Sequence, residues 1–183
     1  MSEVAETGGL RFAEAMRLLI IFAAVGLCAC GNPNPSGVSM ATVTLSGGVT
    51  GNANTTVAAA TEASGVGFAL STSTGDPTVD VAIVLTTSTL QTGSYTESSS
   101  SVSKAGITVS HASMTPPLTW AVFARESGSP DQGTFTLDIT STGSAITGSS
   151  GMAWPDVHGN LTATLEPVTG TGADGSTTLA VTF

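Results

Sequence analysis

From Met40 to Phe183, apolar residues recur at every second position in short runs, and glycine, proline, asparagine and serine separate the runs. Met40-Ala41-Thr42-Val43-Thr44-Leu45 alternates until Gly47-Gly48 stops it. Val66 to Ser71 reads as a strand, and Gly75-Asp76-Pro77 as a turn. Thr78 to Thr87 places Val79, Val81, Ile83 and Leu85 on one face, with Ala82 and Val84 on the other, so it reads as a central strand covered partly on both sides. A short strand is expected near Tyr95, then a flexible loop through the serine run Ser98 to Ser101, then a strand over Ala105 to Ser110. Pro116-Pro117 breaks the chain before Leu118 to Arg125, where Trp120, Val122 and Ala124 share a face. Gly133 to Thr140 turns Phe135, Leu137 and Ile139 inward and its threonines and Asp138 outward. Val157 to Glu166 repeats that alternation through Leu161, Ala163 and Leu165, and the chain closes on Leu179, Val181 and Phe183. Residues 49–65 read differently: Thr56 to Ala63 has the composition of a short helical turn, while Gly51, Asn52 and Asn54 favour loop. Ser141 to Gly151 reads as a Gly/Ser/Thr connection. A period of two, short runs and frequent turns predict an all-β fold, an antiparallel β-sandwich or small barrel of about 7–9 short strands.

Composition sharpens this picture. Charged residues make up 9% of the chain, against about 25% in an average globular protein, so surface polarity must come from Ser, Thr, Asn and Gly. Threonine and valine are β-branched, and their alternation with other apolar residues favours sheet over disorder. From residue 30 onward ten acids face two bases, Lys104 and Arg125. A surface of that sign repels a phosphate backbone and so excludes nucleic acid as a partner. The two cysteines, Cys28 and Cys30, both precede the β-pattern, so no disulfide framework is expected within it.

One stretch breaks the β-pattern. Arg17 is followed by an apolar run from Leu18 to Leu27, then Cys28-Ala29-Cys30. The run has the length of a secretory signal core and falls short of the ~20 residues a membrane-spanning helix needs. Leu27-Cys28-Ala29-Cys30 resembles the lipobox of bacterial lipoproteins: an aliphatic residue, a variable one, a small one, then cysteine. The resemblance implies a diacylglycerol on the sulfur of Cys30, cleavage just before it, and acylation of the new amino group. Cys28 leaves with the leader, because Leu27 is too bulky for the small-residue position. Anionic headgroups repel the acidic domain, so the acyl chains on Cys30 are the expected route to the membrane. The domain organisation that follows is an upstream, disordered extension over 1–15, a signal peptide over 16–29, a lipidated cysteine and Pro/Asn/Gly tether over 30–37, and one β-domain over 38–183. Glu3, Glu6 and Glu14 do not suit the positive start of a signal, which points to initiation at Met16. Gly31 beside the cysteine, where an Asp would retain the protein at the inner membrane, implies by the same resemblance the outer membrane of a Gram-negative cell. The segments QTGSY, GTFTLDIT and HGNLTATL are similar to the closing half of small β-sandwich envelope lipoproteins of unknown function.

Candidate chemistry is sparse. His111 and His158 are the two histidines, too few for a structural zinc site. His158 lies on the polar face of its strand, and with Asp156, two residues before it, and a nearby serine it defines a hydrolase alternative. Gly148-Ser149-Ser150-Gly151 lacks the strand-turn-helix context of a nucleophile elbow. Asp76, Asp80 and Asp174 carry oxygens suited to calcium but lack EF-hand spacing. Trp154, in a loop beside Asp156 and His158, either plugs the open end of the fold or forms a contact with a ligand. The reading that follows is a non-catalytic binding or structural module of the cell envelope without a cofactor, whose partner is an envelope protein or a glycan.

Overall fold

The computed structural model describes residues 39–62, 64–72, 76–126, 129–144, 146–147, 153–154 and 156–183, with the backbone alone at 60–62, 146–147 and 153–154. The leader, Cys30 and the tether lie outside the described residues. The strands are β1 Met40–Gly47, β2 Gly51–Thr56, β3 Ala58–Glu62, β4 Gly65–Ser71, β5 Thr78–Leu85, β6 Gly93–Thr96 and β7 Val102–His111. They continue with β8 Leu118–Ala124, β9 Thr134–Thr142, β10 Ile146–Thr147, β11 Ala153–Trp154, β12 Val157–Pro167 and β13 Thr177–Thr182. The described residues contain no helix, and the sheet is antiparallel, nearly closed and barrel-like.

The strands form two halves. One half runs β6-β9-β12-β13-β1-β2, and the other β10-β11-β3-β4-β5-β7-β8. They meet along β12. Its Asn160 to Leu165 pair with β13, while Glu166 and Pro167 pair with Ala121 and Trp120 of β8. The chain also passes from the first half to the second at Val57, a fully buried residue between β2 and β3. One core fills the space between them. Val43, Leu137, Leu161 and Leu179 come from the first half, and Phe68, Ile83, Ile107 and Val122 from the second. Each such side chain gains about 1.5–3 kcal/mol on leaving water. The Phe68 and Phe183 rings tilt against each other with centroids 5.1 Å apart, and the Trp120 indole donates to the Gly175 carbonyl at 2.9 Å.

The strands with one alternating face form where the pattern places them, and Val84 is buried on the second face of β5 as its apolar character predicts. Four stretches depart from expectation. Residues 49–65 are neither loop nor helical turn but hold β2 and β3. Asn52 and Asn54 occupy the outward positions of a strand set by pairing with β1, Thr44 opposite Asn52 and Thr42 opposite Asn54. Strand β7 begins at Val102, three residues ahead of the predicted start. The serine run before it is tied down: Arg125 Nη1 donates to the carbonyls of Ser99 and Val102, and the Glu97 carboxylate accepts from the Phe135 amide. The Ser141–Gly151 connection contributes the end of β9 and the two-residue β10. Among the described residues thirteen strands therefore stand where about 7–9 are expected, because pairing partners recruit stretches that have no hydrophobic period of their own.

Candidate functional site

The first predicted cluster lies at the start of β12. Asp156 precedes the strand and His158 is its second residue. Their side chains approach to 3.5 Å between His158 Nε2 and Asp156 Oδ1, with 62% and 53% of each exposed. An ion pair this open to water and this long is weak. Ser141 stands opposite His158 in the β9–β12 register, yet among the described residues no serine hydroxyl is hydrogen-bonded to the His158 ring. Trp154 is not in a loop but in β11, paired with Ile146; its side chain is outside the described residues, so neither plug nor contact is tested.

A second cluster forms where sequence reading sees only separate residues. Strand β5 pairs with β7 so that Thr78 faces Ser110. That register carries Asp76, two residues before Thr78, to the end of β7 where His111 and Ser113 emerge. Asp76 Oδ2 lies 2.9 Å from His111 Nδ1 and 3.1 Å from the Ser113 amide, and Oδ1 accepts from the Ala112 amide at 3.2 Å. Hydrogen bonding from Ser113 and the imidazole of His111 hold the Asp76 carboxyl below the usual carboxylate range, against a smaller opposing effect of burial. The Ser113 hydroxyl sits 3.2 Å from the same Nδ1.

Aspartate, histidine and serine are thus together, but not as a catalytic relay. A relay needs the carboxylate on one ring nitrogen and the hydroxyl on the other. Here both oxygens face Nδ1. A nitrogen that donates its proton to Asp76 cannot also take one from Ser113. The arrangement instead fastens the turn after β7 to the turn before β5. The other predicted oxygen ligands stand apart from it: Asp80 Oδ1 accepts from the Ser71 hydroxyl at 2.5 Å, and Asp174 Oδ1 from the Gly175 amide at 2.9 Å. Among the described residues, no three histidine, cysteine, aspartate or glutamate side chains group closely enough to hold a metal ion.

Beside Asp76 the halves of the fold part. A cavity of about 150 Å³ lies between the β1–β2 hairpin and the start of β5. Val43, Leu45 and Val79 of the core line it, together with Thr50, Asn52, Pro77 and Asp76. Neither the cavity nor the Asp76 cluster is visible in the sequence, because the only local signal is an Asp-Pro turn. Comparison with known proteins finds no family model, no curated protein and no solved structure that matches the chain.

Proposed function

We propose that the chain is an exported lipoprotein: a non-catalytic β-domain held at the membrane, in the outer membrane of a Gram-negative envelope, by acyl chains on Cys30. The observation that carries this reading is Leu27-Cys28-Ala29-Cys30 directly after the apolar run from Leu18. The tether from Gly31 to Gly37 spans about 23–25 Å when extended, enough to lift a domain clear of the headgroups. The core assigned to the described residues runs from Ala41 to Phe183, all of it on the far side of that tether. A non-catalytic role is supported by the shared Nδ1 of His111 and by the exposure of the Asp156–His158 pair. The partner is an envelope protein or a glycan, met by the domain while the lipid holds it in place.

The test is metabolic labelling of the full chain with palmitate in a Gram-negative host. The parent chain takes up label. Cys30→Ala abolishes labelling and leaves precursor, whereas Cys28→Ala does neither. Equal loss from the Cys28 change assigns the lipid to the wrong cysteine, and no labelling of the parent removes the anchor altogether.

A further inference from the structure

Asp174-Gly175 is the only Asp-Gly step in the chain, and no Asn-Gly step occurs. It lies in the loop from Val168 to Ser176 that joins β12 to β13. Both residues are exposed. The Asp174 carboxyl is folded back on the chain, with Oδ1 accepting from the Gly175 amide at 2.9 Å. That nitrogen therefore lies next to Asp174 Cγ, the placement an intramolecular attack on a carboxyl carbon needs. Nothing shields it, since Gly175 has a φ of +63° and a Cβ there would meet no atom within 4 Å. The other described aspartates have less favourable neighbours. Asp76 precedes a proline, which has no amide proton, and Asp80, Asp131, Asp138 and Asp156 precede Val, Gln, Ile and Val, whose side chains crowd a ring closure.

We propose that Asp174-Gly175 is a site of spontaneous isoaspartate formation in the folded protein. The Gly175 nitrogen attacks Asp174 Cγ. A new N–C bond forms, and the carboxyl hydroxyl leaves with the amide proton as water. The product is a cyclic succinimide, which water then opens at either carbonyl. Opening at Cγ restores Asp174. Opening at the main-chain carbonyl carbon leaves an isoaspartate, whose backbone runs through Cβ and Cγ. Nothing is oxidised or reduced, and the mass of the chain is unchanged. The consequence reaches the core. The Gly175 carbonyl accepts from the indole of Trp120, a ring 1% exposed, at 2.9 Å, and the adjacent Ser176 carbonyl accepts from the Gly48 amide at 3.1 Å. A main chain longer by one carbon just before Gly175 displaces that carbonyl from the indole, and a donor so buried has no water to turn to. A reaction at the surface is thus linked to a buried ring. The proposal is independent of the lipid anchor.

The test ages the full chain, in a non-ionic detergent at mildly acidic pH, for several weeks beside a free peptide of residues 169–178. Electron-transfer fragmentation of proteolytic peptides separates isoaspartate from aspartate of equal mass. Isoaspartate is expected at position 174 and not at the other aspartates, at a rate no slower than in the free peptide. Asp174→Glu, whose ring needs one more member, should yield at least tenfold less of the isomer. Asp174→Asn should close the same ring at least tenfold faster, losing ammonia in place of water. In a Trp154→Phe background the Trp120 emission should shift in step with the isoaspartate fraction, and should hold steady in Asp174→Glu. A folded chain that reacts at least tenfold more slowly than the peptide, or isomer spread over several aspartates, would overturn the proposed site. Unchanged Trp120 emission in a chain carrying isoaspartate at position 174 would overturn its link to the core.

Discussion

Glu126 holds the one buried side-chain oxygen among the described residues that no hydrogen bond reaches, its Oε1. This oxygen lies 3.8 Å from where a Cβ on Gly106 would stand, at the middle of β7. Desolvation pushes the Glu126 carboxyl above its ordinary range, and the nearby charge of Lys104 only partly opposes it. A folded-state pKa raised above the unfolded one means that the fold holds the proton more tightly. The stability this supplies is fully present below the unfolded value of about 4.5 and is lost as pH rises through the folded value. Glu126→Gln keeps the shape without the charge. Urea midpoints should therefore fall less for the variant than for the parent as pH rises above about 4.5; parallel pH profiles would show that Glu126 is solvated. The half-exposed setting of this residue keeps the effect modest. Phe135 and Thr136 make a sharper contrast, because neighbours on β9 face opposite ways. Phe135 is in the core and Thr136 is on the outer face opposite Thr162. Phe135→Ala should cost about 3–5 kcal/mol, and Thr136→Ala should stay within about 0.5 kcal/mol. Equal costs in denaturant melts would refute the register.

At the scale of elements, β12 shows how much the sequence discloses. Its burial alternates without interruption from Val157 to Leu165, as the period of Leu161, Ala163 and Leu165 implies. Strands β1, β9 and β13 are legible for the same reason: one wet face and one dry face leave a period of two in the letters. Strands β2 and β3 are not, since Gly51-Asn52-Ala53-Asn54 has the letters of a loop and becomes a strand only because β1 offers it a ladder. The Asp76–His111 pair is hidden more deeply. Thirty-five residues separate the two, and only the Thr78–Ser110 register brings them together. Asp156 and His158, two apart, can be paired by eye, yet the letters cannot show that both stay in water. What the alternation of β12 also conceals is a bulge between His158 and Gly159. A Cβ at Gly159 would stand 2.0 Å from the Asp138 carbonyl oxygen and 3.0 Å from the Phe183 ring. Backbone must shift to admit it, and the reciprocal bonds between Gly159 and Phe183, 2.8 and 3.0 Å, are placed at risk. Gly159→Ala should cost at least about 1–3 kcal/mol, while Gly51→Ala, which meets only ordinary contact, should be near neutral; thermal melts in which the two variants coincide would count against the bulge.

For the molecule as a whole, solubility and cohesion come from different faces of the same strands. The outer face of the first half carries Thr42 opposite Thr182 and Thr164 opposite Thr178, all exposed. Hydroxyls rather than charges meet the water, which is how a chain with 9% charged residues presents a polar surface. Cohesion comes from a core shared by both halves and from β12, which is hydrogen-bonded into each of them. Neither half can close its inner face alone, since Leu161 and Leu179 of one pack in the same cluster as Phe68 and Ile107 of the other. Unfolding one half would expose the apolar face of its partner, so the two should open together. Trp120 reports on the second half, being buried in β8 with its indole on Gly175, whereas far-ultraviolet circular dichroism reports on every strand. In a Trp154→Phe background the two signals should trace one denaturant transition with a common midpoint. Leu161→Ala, a truncation in the first half, should move both by the same amount, equivalent to about 2–5 kcal/mol. A Trp120 transition that stays in place while the dichroism shifts would mean that β12 does not couple the halves.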